Sequence, residues 1–149
     1  MSTVMLGTEV AKAMKERLTA RVEELKEKGI HPCLAIVRVG ERPDDLSYER
    51  GAKKRMELTG IACQVTELPE DISQEEFEAA FRKINDDPAV HGILLFRPLP
   101  RHLDEEPVKD IICPWKDVDC MSDANMAKVF AGDGSGFAPC TPEAVMEML

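Results

Sequence analysis

The stretch from Val90 to Pro100, Val-His-Gly-Ile-Leu-Leu-Phe-Arg-Pro-Leu-Pro, constrains this chain more than any other. An unbroken apolar run of strand length, entered through Gly92 and closed by two prolines, predicts a central strand buried on both faces. Pro98 and Pro100 cannot donate backbone hydrogen bonds, so the chain leaves the sheet there as a stiff, extended segment at the strand's carboxyl end. Ligands bind at that end of open α/β sheets. A core strand followed by a rigid loop without chemistry satisfies the same residues, so the rest of the chain has to decide.

Around that strand the pattern alternates helix and strand. Between about Gly7 and Lys28, Val10, Met14, Leu18, Val22 and Leu25 recur at spacings of three and four, which predicts an amphipathic helix stopped by Gly29, with Pro32 beyond. Cys33 to Val39 is apolar and rich in β-branched residues, a first buried strand ending at Gly40. Glu41-Arg-Pro-Asp-Asp45 offers a proline and two candidate N-cap aspartates to a second helix, from about Asp45 to Thr59, ended by Gly60. On it Tyr48, Ala52 and Met56 share a face. Lys53, Lys54 and Arg55 form a basic cluster that a solvated flank explains equally well.

Ile61 to Leu68 predicts a second parallel strand. Ser73-Gln-Glu-Glu76 is a capping-box pattern opening a third helix with the stripe Phe77, Ala80, Phe81 and Ile84, broken by Asp86-Asp87-Pro88. Beyond Pro100 the signals weaken. A short helix is expected from Asp104, its cap, to Ile112, with Pro107 in the first turn, and a weak one around Ala124 to Ala131. Gly132-Asp-Gly-Ser-Gly136 is a flexible loop without the Gly-Lys-Ser/Thr of a phosphate loop. A last helix is expected at Pro142, with Thr141 as its cap. The alternation predicts a small α/β domain over the whole chain.

Size and charge narrow the function. At 149 residues the chain holds one domain with a sizeable core. A formal charge of −9 disfavours nucleic acid and anionic membranes as partners, since both call for clustered Lys and Arg. No apolar run nears the roughly 18 residues of a membrane helix, and the Met1 to Gly7 start lacks a basic stretch followed by a hydrophobic one. A cytoplasmic protein is expected. Five cysteines, without a Cys-x-x-Cys pair, predict reduced and mostly buried thiols. His31, His91 and His102 lack metal-ligand spacing, so no metal site is expected.

Tyr48, the Leu68-Pro-Glu-Asp71 and Ser73-Gln-Glu-Glu76 runs, His91-Gly-Ile-Leu-Leu95, Pro98-Leu-Pro100, Lys116-Asp-Val-Asp119 and Pro139-Cys-Thr-Pro142 follow one another along the chain. In that combination the sequence resembles the N-terminal, folate-binding domain of the bifunctional methylenetetrahydrofolate dehydrogenase/methenyltetrahydrofolate cyclohydrolase family. The resemblance covers essentially the whole chain. It implies a three-layer α/β/α domain with a small, mainly parallel sheet, followed in family members by a nucleotide-binding domain, with the active site in the cleft between the two. Nothing in this sequence matches that second domain. An excised catalytic domain, inactive alone, is therefore expected, with NADP or NAD bound mainly by the missing C-terminal domain and a tetrahydrofolate as substrate.

The resemblance also implies site residues. Tyr48 matches a tyrosine that packs near the reacting part of the folate, and Asp119 an aspartate that hydrogen-bonds the pterin-like ring. A carboxylate suits that task because it accepts two roughly parallel N–H bonds. Leu95, Phe96 and Pro98 complete the implied substrate-binding set.

Two departures bear on the chemistry. The family carries a lysine four residues after the tyrosine, where this chain has Ala52, and a glutamine two residues before Pro-Leu-Pro, where it has Phe96. Both polar partners are replaced together; removing one alone would leave a buried group unpaired at roughly 1–3 kcal/mol. Lys53, Lys54 and Arg97 are the candidates to stand in, and the residues do not choose among them. The two lysines lie roughly 120–140° around the helix from Tyr48, and in a regular strand Arg97 faces away from Phe96. Asp45 also replaces a family serine, and Cys120 the glycine that follows Asp-Val-Asp. Two functions are compatible with these residues. One is oxidation of 5,10-methylenetetrahydrofolate to 5,10-methenyltetrahydrofolate, with hydrolysis to 10-formyltetrahydrofolate low or moved to a new residue. The alternative is a non-catalytic module that holds a folate or another flat heterocycle.

Overall fold

The computed structural model describes residues 7–149, so the expectation about a leader falls almost wholly outside the described residues. The elements run α1 (Gly7–Glu27), β1 (Cys33–Val39), α2 (Pro43–Thr59), β2 (Ala62–Leu68), α3 (Gln74–Asp86), β3 (Gly92–Leu95), α4 (Glu106–Ile111), α5 (Asp123–Phe130) and α6 (Cys140–Met148). The strands form one parallel sheet in the order β2-β1-β3. Parallel neighbours need long crossovers, which α2 and α3 supply.

The central strand is thus β1, and the expectation that Val90 to Pro100 holds the centre is corrected. The run is extended only from Gly92 to Leu95 and pairs with β1 on one side. Its other side is covered by non-strand chain: Ile93 bridges Asp117 in parallel, and its N–H donates to the Lys116 carbonyl at 2.6 Å. That cover leaves Ile93 and Leu95 buried, as in a central strand.

Side chains of β1 alternate between two layers. Ala35, Val37 and Val39 join Phe77 and Phe81 of α3, Val108 and Ile111 of α4, and Met121 in the core. On the opposite face buried Arg38 donates to Glu49 of α2 at 2.8 Å. Helix α1 packs against α2. Helices therefore flank the sheet on both faces, giving three α/β/α layers.

The capping box at α3 forms as expected: the Ser73 hydroxyl accepts from the Glu76 N–H while the Glu76 carboxylate accepts from the Ser73 N–H. Gly60 ends α2 at φ 76°, a left-handed conformation that favours glycine. Three helix starts differ from expectation. Helix α2 begins at Pro43 with Arg42 in the cap position, which puts Asp44 and Asp45 inside the first turn, because proline presets the helical φ. In helix α4 Glu105 takes the cap position without a side-chain capping bond, while Asp104 accepts from the Glu106 N–H at 3.0 Å. Helix α6 starts at Cys140, so Thr141 and Pro142 lie within its first turn, where a proline costs no hydrogen bond.

All five cysteines are free thiols, but only Cys33 and Cys120 are buried, fewer than expected; Cys140 is exposed. No helix among the described residues is long and apolar enough to cross a membrane.

Candidate active site

At the carboxyl end of β3 a hollow of about 420 Å³ is lined by Asp44, Asp45, Tyr48, Leu94, Leu95, Phe96, Arg97 and Asp119. Phe96 forms its floor. Its N–H continues the ladder to the Val37 carbonyl at 2.9 Å, and its side chain is buried. Tyr48 rises from α2 as a wall, its ring edge-on to Phe96, yet it is 61% exposed, which leaves a ring face open to a flat ligand.

Asp119 reaches the hollow through its neighbours. Fully buried Asp117 accepts from the Met121 N–H, the Ser122 N–H and hydroxyl, and the Asn125 amide, at 2.7–3.0 Å. Desolvation works to raise the Asp117 pKa, but the hydrogen bonds from Ser122, Met121 and Asn125 outweigh it and hold the carboxyl below the ordinary aspartate range. This closes the turn on which Asp119 sits. Gly92 brings the turn close to β3, since a Cβ there would lie 2.7 Å from Val118 Cγ1. Cys120 adopts φ 56°, a conformation that costs a non-glycine residue roughly 1–2 kcal/mol. The loop keeps a left-handed backbone at the position where the resemblance implies a glycine.

Two groups orient the Asp119 carboxylate. Oδ1 accepts from the Cys140 N–H at the start of α6 at 3.1 Å, and Oδ2 stands 3.6 Å from Arg97 Nη2. The Cys140 thiol donates to the Val118 carbonyl at 3.2 Å. Desolvation first, then Asp119 beside it, push that thiol up to about 11, so it supplies no thiolate.

The sequence-predicted set is brought together in part. Tyr48, Leu95, Phe96 and Asp119 line one hollow; Pro98 follows beside it, exposed and outside the lining. Arg97 lines it together with Phe96, against the alternation argument, because β3 ends at Leu95 and strand geometry does not extend to Phe96 and Arg97. Lys53 instead lies 3.5 Å from Glu49, and neither it nor Lys54 lines the hollow. Ala52 stays outside the lining as well. Asp44 and Leu94 also line the hollow, although the sequence singles out neither for the site; the one signal for Asp44 is its place in the turn opening α2.

A model of the tetrahydrofolate dehydrogenase/cyclohydrolase catalytic domain matches residues 5–119. The chain belongs to this family. It is 55% identical over 149 residues to the bifunctional protein FolD of Alkaliphilus oremlandii, covering 100% of this chain and 52% of that protein. With the bifunctional protein FolD of Clostridioides difficile the identity is 56% over 146 residues, 98% of this chain and 51% of the relative. Among solved structures, the bifunctional FolD of Campylobacter jejuni superposes with a TM-score of 0.95 at 38% identity, over 99% of this chain and 52% of that one. The FolD of Trypanosoma brucei, complexed with NADP and an inhibitor, superposes with a TM-score of 0.91 at 34% identity, over 99% of this chain and 51% of that one.

The chain spans about half the length of the curated relatives it matches. Its described residues do not fit a nicotinamide dinucleotide. After β1 the chain passes through a single glycine, Gly40, into Glu41-Arg42-Pro43, and Gly132 to Gly136 follows a helix, so among the described residues neither segment is the glycine-rich strand–turn–helix cradle of a pyrophosphate.

Proposed function

We propose that this chain is the folate-binding half of a cytoplasmic methylenetetrahydrofolate dehydrogenase of one-carbon metabolism, with weak cyclohydrolase activity. In this account the enzyme oxidises 5,10-methylenetetrahydrofolate to 5,10-methenyltetrahydrofolate, and NADP or NAD is bound by a second, C-terminal domain. The observation that carries the reading is the convergence of Tyr48, Phe96 and Asp119 on one hollow at the carboxyl end of β3, in a chain of this family. The pterin-like ring stacks in the space bounded by Tyr48 and Phe96, and Asp119 accepts two of its N–H groups.

The two reactions ask different things of this half. Hydride transfer needs the folate held in position and shielded from water, which apolar walls and one oriented carboxylate provide. Hydrolysis needs a group that takes and gives protons, typically worth about 10²–10⁴-fold. Ala52 and Phe96 have no such group. Arg97, the one stand-in that lines the hollow, is of a residue type that does not release its proton in proteins. The same apolar pair favours the second reading, a binding module without turnover.

Calorimetric titration of residues 1–149 with tetrahydrofolate tests the site. Weak binding is expected, reduced roughly tenfold or more in Asp119→Ala. Equal affinity of the two proteins would remove Asp119 from the site, and no binding by the wild type would remove the folate reading.

A further inference from the structure

We propose that Arg97 and Asp119 form an adjacent donor–acceptor pair that reads the 4-oxo edge of a pterin ring, which makes Arg97 a specificity-determining residue; this rests on the folate reading above. The edge of such a ring presents an amino N–H and a ring N–H side by side, followed at once by a carbonyl oxygen. A carboxylate that accepts both N–H groups is left beside the carbonyl, acceptor against acceptor. A cation there removes the conflict.

Arg97 stands in that place. Its Nη2 is 3.6 Å from Asp119 Oδ2, and its Nη1 is 3.9 Å from Glu105 Oε2. Glu105 is itself tied to the loop, since its Oε1 accepts from the Leu99 N–H at 3.3 Å. The guanidinium therefore sits between two carboxylates, each held by a backbone N–H, Asp119 by Cys140 and Glu105 by Leu99. Its planar fork carries five donors, more than these two neighbours use. The pair also remains open to a ligand, with side-chain exposures of 38% for Arg97 and 33% for Asp119.

The test compares folic acid with its 4-amino-4-deoxy analogue, in which an amino donor replaces the carbonyl and the neighbouring ring nitrogen loses its hydrogen. Both are titrated into residues 1–149 as wild type, Arg97→Leu and Arg97→Lys, with circular dichroism to check the fold. The wild type is expected to prefer folic acid by more than about tenfold, because Asp119 also loses the ring N–H in the analogue, and Arg97→Leu to lose about tenfold of that preference by weakening folic acid alone. Arg97→Lys, which keeps the charge without the fork, is expected to fall between the two, and it carries the comparison if the leucine variant does not fold. A purely structural role would weaken both ligands alike. Equal wild-type affinity for the two compounds, or an undiminished preference in the variants, overturns the assignment of Arg97 while leaving the folate reading intact. A wild type that binds neither compound overturns the folate reading, and the inference with it.

Discussion

The ring of Tyr48 meets the ring of Phe96 edge to face, with centroids 5.3 Å apart and planes inclined by 68°. Phe96, one of the two positions where the resemblance implies a lysine–glutamine pair, thus makes an apolar contact. Phe96→Gln alone would place an amide on the buried floor without a partner, at a cost of roughly 1–3 kcal/mol. Adding Ala52→Lys is expected to recover part of that loss. Chemical denaturation of the single and double variants measures it, with a favourable coupling of about 0.5 kcal/mol or more expected; strictly additive losses would separate the two positions.

Asp117 makes the turn below Asp119 dependent on pH. Its folded-state pKa lies below its unfolded value, so its contribution to stability is fully present above the ordinary aspartate range, near 3.9, and is lost as pH falls through the lowered folded-state value. Asp117→Asn turns an amide N–H toward donors and is expected to cost roughly 2–3 kcal/mol at neutral pH. Denaturation midpoints recorded from pH 7 downward should show the wild type and variant converging in acid. A gap independent of pH would contradict the assignment.

Glu49 and Arg38 join α2 to the centre of the sheet beneath the helix turn that carries Tyr48. Glu49→Ala leaves a buried guanidinium with Glu67 and the Gly40 carbonyl as its remaining partners, and a loss of about 3 kcal/mol is expected. Replacing both residues, as Arg38→Met with Glu49→Leu, should cost less than Glu49→Ala alone, because no charge is left unpaired. Urea midpoints of the three proteins decide between this and a mere packing loss, for which the double variant would be the worst.

Much of this architecture is legible in the sequence. The alternation of amphipathic helices with apolar runs marks the α/β class, and Ser73 with Glu76 marks the start of α3 because both halves of a capping box are local. The strand order is not legible in the same way. Apolar residues record burial, and Ile93 is buried by the turn at Asp117 as effectively as by a strand. Strand alternation turns Arg97 away from the hollow only because Phe96 prolongs the apolar run past the true end of β3 at Leu95. Lys116-Asp-Val-Asp119 likewise does not reveal which aspartate is buried; that depends on Ser122 and Asn125, which the turn carries back to Asp117.

The central claim, that this half supports oxidation better than hydrolysis, is tested most directly by assaying the two steps separately. Residues 1–149 joined to the remaining half of the Alkaliphilus oremlandii relative would supply the nucleotide-binding part. The account predicts measurable oxidation of 5,10-methylenetetrahydrofolate and slow hydrolysis of the methenyl compound. In Ala52→Lys with Phe96→Gln, hydrolysis should rise about 10²-fold or more while hydride transfer changes little. Fast hydrolysis in the unmodified chimera would contradict it.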